Sequence, residues 1–244
     1  MSVLNKPQIE AFIGASGSGK GVSINARLTE LQPARLVIWD PRNEYGKQAR
    51  PVTSLAILVR DLKAAGKAGP IRVRYVPGAA VSIADAFAIV CKAVFASGNL
   101  VFVAEELSDV TTASHAPPAW RRICTQGRHA GLHVMGAAQR PTLIDKTFLA
   151  NCTRVRVFQL GYDNDMQTMA KEVRAPLDVL AALVTRDTPG GADIRGLEYE
   201  RRTRELFAIS IKVNSRGAVE TRMPFVAAAP QKVTAKPAAT RRAT

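Results

Sequence analysis

Acid is the commodity this sequence is short of. Its 244 residues hold 20 Asp and Glu against 34 Lys and Arg, a formal net charge of +14. Such an excess attracts polyanions, and nucleic acid is the commonest of them. A solubilising surface, or a basic face for another protein, would use the same charge. Cysteine is also scarce. Cys91, Cys124 and Cys152 stand far apart and form no CxxC pair, which leaves no zinc pattern and predicts reduced thiols in a cytosolic protein. Long apolar runs are missing: none approaches the ~20 residues of a membrane span. The stretch from Met1 to Pro7 has no apolar core of a secretory signal, so none is expected. No internal repeat is visible.

What is there is an ordinary share of hydrophobic residues, 47%, in a chain long enough for one substantial core. Apolar runs of strand length occur at 8–13, 35–39, 71–76, 100–104, 132–138 and 154–160. Helical periodicity occurs at 19–31, 54–65, 82–96, 163–173 and 175–185, and a basic helix at 117–130. Ser82 is a suitable N-cap for the third of these. Strands alternating with helices predict an α/β fold, a mainly parallel sheet covered on both faces. The end of the chain differs. Residues 206–213 and 218–226, joined by the polar turn 214–217, predict an antiparallel hairpin. Residues 227–244 are rich in Ala, Pro, Thr, Lys and Arg and contain no acid. They cannot bury enough apolar surface to fold, so the expected organisation is one domain over 1–226 and a disordered basic tail over 227–244.

Three motifs carry chemistry. The first is Gly14-Ala15-Ser16-Gly17-Ser18-Gly19-Lys20, a GxxxxGK loop between a predicted strand and a predicted helix. Glycines let the backbone curl until several N–H groups point at phosphate oxygens, and the helix behind presents its positive end to the same anion. Lys20 would reach the β- and γ-phosphates of a nucleotide such as ATP. The binding stretch continues through Gly21 and Val22. At Gly21 the motif departs from the usual Ser or Thr, whose hydroxyl ligates Mg2+; Ser23 is close in sequence but points elsewhere on a regular helix. The second motif is the apolar run 100–104 followed by Glu105 and Glu106. It places two carboxylates at the carboxyl edge of a sheet, where ligands bind in open α/β folds. Glu105 would hold Mg2+, and Glu106 would orient or deprotonate the attacking water. The third is the strand 132–138 ending in Gln139, Arg140 and Pro141, where Gln139 could hydrogen-bond the γ-phosphate or the water.

With these motifs in place the chain resembles the FtsK/HerA superfamily of hexameric DNA-pumping ATPases, and is closest in size to its viral genome-packaging members. The resemblance rests on residues 14–20, on Val37-Ile38-Trp39-Asp40-Pro41-Arg42-Asn43-Glu44-Tyr45, on 101–106, and on Gln126-Gly127-Arg128-His129-Ala130-Gly131 running into Gln139-Arg140-Pro141. It implies a RecA-like P-loop core, hydrolysis of ATP with Mg2+, a ring of subunits and double-stranded DNA in the central channel. Capsid or portal proteins are possible partners, in a bacterial host's cytoplasm or a virion. By the same resemblance Lys20 matches the phosphate-binding lysine, Glu105 the metal-site acid, Glu106 the catalytic glutamate and Gln139 the sensor. Arg128, then Arg122 and Arg121, are candidates for the arginine that such rings lend to a neighbour's site. Asp40 and Glu44 would line the site or a subunit contact. Two other classes stay open. A nucleoside-monophosphate-kinase-like phosphotransferase accommodates Gly21, although its arginine-rich lid is visible at best in 195–204. A phage assembly or secretion NTPase of the zonula-occludens kind usually has the membrane span that is missing here.

Overall fold

The computed structural model describes residues 8–215 and 217–226. In chain order the first half runs β1 (Gln8–Ile13), α1 (Lys20–Leu31), β2 (Arg35–Trp39), β3 (Arg50–Val52), α2 (Leu55–Ala65), β4 (Ile71–Tyr75), α3 (Ile83–Ser97) and β5 (Val101–Ala104). The second half runs α4 (Pro118–Gln126), β6 (His133–Ala138), α5 (Lys146–Asn151), β7 (Arg154–Val157), α6 (Asp163–Val173), α7 (Leu177–Ala181), β8 (Thr185–Thr188), β9 (Gly191–Glu200), β10 (Glu205–Asn214) and β11 (Gly217–Pro224).

These strands form one sheet in the order β11-β10-β9-β7-β1-β6-β5-β2-β4-β3, with β8 paired to β9. From β7 to β3 every pairing is parallel. All carboxyl ends of that stretch therefore lie along one edge. Strand β6 sits between β1 and β5, with Ile13 opposite Ala138 and Ala104 opposite Gly136. The last strands, β9 to β11, add on antiparallel beyond β7.

Side chains alternate across the sheet, as the period of two requires. Val37 and Trp39 of β2 and Phe102 of β5 face one core, with Phe87 of α3, Trp120 of α4 and Phe148 of α5. Trp120 lies 5.6 Å from Phe87 and 5.5 Å from Phe148, ring centre to ring centre, inside the range where aromatic pairs attract. Leu36, Ile38 and Val103 face the other core, with Ile24 and Leu28 of α1 and Ile194, Ile209 and Ile211 of the terminal strands. Helix α1 thus packs its buried side, Ile24 and Leu28, against both the parallel strands and the terminal ones. Cys91, Cys124 and Cys152 are free and buried. Among the described residues no helix is long and apolar enough to cross a membrane.

The α/β class, the parallel sheet and the terminal hairpin agree with the sequence reading, and Ser82 does cap α3 by accepting from the Asp85 N–H. Elsewhere the elements differ. The helix expected over 117–130 ends at Gln126 and tightens into a 3-10 turn over Gly127–Ala130. The helix expected over 175–185 is only Leu177–Ala181, because Thr185 begins β8 and pairs with Ile194. Strands β3, β8 and β9 and helix α5 are additions. The basic tail expected over 227–244 lies outside the described residues.

Candidate nucleotide site

The loop 14–19 begins where β1 stops. Its first N–H groups stay on the sheet: Gly14 donates to the Ala138 carbonyl at 3.2 Å and Ala15 to the Gln159 carbonyl at 2.8 Å. The next residues turn away. Gly17 and Gly19 take φ of 73° and 101°, values that cost a side chain dearly, and a Cβ on Gly19 would meet Ile194 of β9 at 2.7 Å. The N–H groups of Ser16, Gly17, Gly19 and Lys20 make no hydrogen bond to another described residue. The buried Ser18 hydroxyl also has no partner there. These free donors surround the amino end of α1, where the helix dipole favours an anion. The loop fits a nucleotide's phosphates.

Lys20 lies over the loop. Its Nζ donates to the carbonyls of Gly14 at 2.8 Å and Ala15 at 2.9 Å. An ammonium has three donors, so one remains for a phosphate oxygen. Burial lowers its pKa, opposed by the carboxylates of Glu105, Glu106 and Glu44.

The two acids follow β5. Glu105 prolongs the strand pairing by donating its N–H to the Trp39 carbonyl at 3.2 Å. Burial pushes its carboxyl up to about 7, against the hydrogen bond from Tyr45 and the charge of Lys20, and Glu106 and Glu44 push the same way as burial. Glu106 then adopts φ 49°, a left-handed conformation that is uncommon for glutamate and that clusters at functional sites. Gln139, at the end of β6, donates from Nε2 to Glu106 Oε1 at 2.8 Å. Arg140 is anchored beside it, donating to Asp165 at 3.0 Å and covering the Tyr162 ring at 3.9 Å. The fold therefore brings Lys20, Glu105, Glu106 and Gln139 onto one edge. Glu105, Glu106 and Glu44 all face the single Lys20, and such a set of carboxyl groups suits a divalent cation. Mg2+ takes one or two carboxylates plus phosphate oxygens, so it needs no cage of three protein ligands, and the described residues contain none.

Other candidates lie elsewhere. Ser23 does point away: its hydroxyl accepts from Arg156 at 2.6 Å. Asp40 is buried beneath the turn after β2. It accepts the N–H groups of Glu44 at 2.9 Å and Tyr45 at 3.1 Å, and pairs with Arg74 at 2.9 Å. Asp40 thus holds the turn, while Glu44, on that turn, faces Lys20. Arg128 is exposed in the 3-10 turn before β6, donating to His129 at 3.3 Å. The length of β6, about 17 Å at ~3.3 Å per residue, separates it from its own chain's phosphate loop. Arg122 lies over the Phe95 ring at 4.2 Å, in an open groove of about 1090 Å³ between α3 and α4. Lys67, Lys92 and His129 also line this groove and no carboxylate does; the two lysines have no ion pair among the described residues.

Sequence reasoning missed the bracing. Tyr45 donates its phenol to Glu105 Oε1. Thr185 of β8 donates its hydroxyl to the Ser18 carbonyl at 3.1 Å, so the terminal strands hold the phosphate loop from outside. The Tyr45 position was visible only as part of a motif, and Thr185 carried no signal.

No family model matches the chain. Over 144 residues, 57% of this chain, it is 31% identical to protein P9 of Pseudoalteromonas phage PM2, and the match spans 63% of that protein's length. Among solved structures it is similar to the genome packaging NTPase B204 of Sulfolobus turreted icosahedral virus 2. With that protein's ATP-gammaS complex the TM-score is 0.63 at 19% identity, covering 82% of this chain and 95% of that one. With its AMPPCP complex the TM-score is 0.64 at 18% identity, covering 84% and 97%. At these identities the likeness establishes a shared P-loop NTPase fold.

Proposed function

We propose that the chain is an ATP-hydrolysing, DNA-translocating motor of the FtsK/HerA superfamily that packages a phage or mobile-element genome. The observation that carries this is the placement of β6 between the loop strand β1 and the acid strand β5. It delivers Gln139 to Glu106, next to the phosphate loop. The similarity to a phage protein and the fold shared with a packaging NTPase support the same reading.

In this reading the free N–H groups of the loop and the third donor of Lys20 hold the β- and γ-phosphates. Glu105 and the phosphates would hold Mg2+, which would supply positive charge against that developing in phosphoryl transfer. Glu106 accepts a proton from the attacking water, and Gln139 fixes the carboxylate that does so. Among the described residues Lys20 is already seated on the loop, so a cation that acts at the transition state would come from elsewhere. Arg128, on the far edge, is the candidate that a neighbouring subunit presents in a hexameric ring. The acid-free groove between α3 and α4 suits a DNA backbone.

A kinase reading has less support, because the arginine-rich stretch 195–204 is strand β9 and its turn into β10 rather than a lid. The test is ATP turnover with and without double-stranded DNA, together with the native mass in the presence of nucleotide. Stimulation by DNA and a six-subunit mass are expected. Phosphate transfer to a nucleoside monophosphate, with no effect of DNA, would overturn the proposal.

A further inference from the structure

The phosphate loop lacks a hydroxyl at Gly21, and the structure holds another hydroxyl beside that position. A Cβ built on Gly21 would lie 3.8 Å from Tyr45 Oη and 3.9 Å from Glu44 Oε2, both ordinary contact distances. A serine at this position would therefore direct its Oγ into the space that the phenol already borders. Gly21 is the loop's departure from the usual pattern, and Tyr45 comes from a different element, the turn after β2.

That phenol is not free to wander. The Tyr45 ring is 1% exposed and packs in the core shared with α1. Its N–H is held by Asp40 at 3.1 Å, and its carbonyl accepts from Gln48 at 3.0 Å. Asp40 is in turn fixed by Arg74, which also donates to the Ala49 carbonyl at 3.2 Å. The hydroxyl at the end of this clamp donates to Glu105, the acid placed to hold Mg2+. Glu105 is itself deeply buried, so an unpartnered carboxylate there would have no water to orient it.

We propose that Tyr45 is the positioning residue for Glu105: its hydroxyl, beside the position where the loop lacks one, secures the metal-site acid, so the site is completed through Glu105 rather than through a loop hydroxyl. The buried phenol holds one carboxylate oxygen, while the other makes no hydrogen bond to a described residue and is left for a metal ion, the usual arrangement of an outer-shell partner. The inference rests on the reading of this edge as a Mg-nucleotide site. It makes one prediction which that reading does not: a hydroxyl restored at 21, as a direct ligand, compensates for the phenol lost at 45.

The experiment compares wild type, Tyr45→Phe, Gly21→Ser and the double variant Tyr45→Phe/Gly21→Ser. Phenylalanine keeps the ring and its packing and removes only the donor; thermal melts fix the temperature range in which every variant is fully folded, and both readings are taken there. Two quantities are read: binding of a non-hydrolysable ATP analogue with and without Mg2+, and the Mg2+ concentration giving half-maximal turnover. Tyr45→Phe should bind the analogue normally without Mg2+. The gain in affinity that Mg2+ confers should shrink by about ten- to a hundredfold, the range for a hydrogen bond to a charged group. The Mg2+ requirement for turnover should rise in step. Adding Gly21→Ser to Tyr45→Phe should restore most of the loss. An unchanged Mg2+ dependence in Tyr45→Phe would overturn the proposal, and so would a double variant no better than Tyr45→Phe. Should the wild type bind the analogue with no effect of Mg2+, the site reading itself fails, and the proposal with it.

Discussion

Replacing Asp40 by alanine tests how the site is built, since Asp40 touches no reacting group in this account. Its carboxylate is 1% exposed and has three partners: two backbone N–H groups and the buried guanidinium of Arg74. Removing it leaves those N–H groups without their acceptor and the buried Arg74 without its counter-charge, since its remaining partners, the Ala49 carbonyl and the Asn43 side chain, are neutral. Breaking a buried ion pair from one side costs about 3–5 kcal/mol. In a chain of this size that lowers the melting temperature by about 6–20 °C. Arg74→Met should cost a similar amount by itself. The double variant should cost less than the two added together, because the stranded charge disappears; a coupling of about 0.5–3 kcal/mol is typical of residues in one network. The assay is thermal and denaturant unfolding of all four proteins, with ATP turnover measured well below the transition. Turnover of Asp40→Ala should fall even where the protein is fully folded, since Glu44 and Tyr45 lose the anchor of their turn. A stability loss within the ~0.5 kcal/mol of an ordinary surface substitution would refute the argument. Strict additivity in the double variant would refute the pairing.

Arg128→Ala should bind ATP normally and turn over about 10³–10⁵-fold more slowly, the worth of such arginines elsewhere. Mixing it with Glu106→Gln subunits should recover activity at shared interfaces; normal turnover by the variant as a monomer would exclude a shared site. Lys67→Glu/Lys92→Glu should weaken binding to double-stranded DNA and reduce the salt slope by about two, leaving DNA-free turnover unchanged, and an unaltered slope would remove the groove from the DNA path. Stability should also fall in acid through Glu10. Burial alone would raise its carboxyl, but the hydrogen bond and charge of His133, with Arg27 and Arg154, hold it at about 2 rather than 4.5. A depressed folded value stabilises the protein above the unfolded pKa, and this stability disappears as pH falls from about 4.5 through about 2, amounting to about 3 kcal/mol. Glu10→Gln should flatten that part of the stability profile, and an unchanged slope would contradict the network.

Apart from the short edge strand β3, two of whose three residues are exposed, the parallel half of the sheet was legible because its strands are buried on both faces and read as continuous apolar runs, such as Arg35–Trp39 and Val101–Ala104. The phosphate loop was legible because its glycines and lysine are fixed by local geometry. Strand β9 was not, because its burial does not depend on apolar residues alone. Glu198 in its middle is fully buried, held by Arg156 at 2.7 Å and Arg222 at 2.8 Å, partners 42 and 24 residues away. Strand β8, with three of its four residues exposed, follows an apolar helical stretch; its first residue, Thr185, was read as the end of that helix and the rest carried no apolar pattern. The part played by Asp40 depends on Arg74, 34 residues on, and that of Tyr45 on a missing side chain at Gly21. Neither follows from a motif read along the chain.

In the proposed mechanism Glu106, fixed by Gln139, is the base of an ATP-hydrolysing site. Its most direct test is ATP binding and ATP turnover measured side by side on Glu106→Gln, in which the amide keeps the size of the side chain and removes the proton acceptor. Binding within a few-fold of wild type is expected, with turnover lower by about 10²–10⁴-fold. Turnover near the wild-type rate, with binding intact, would contradict it.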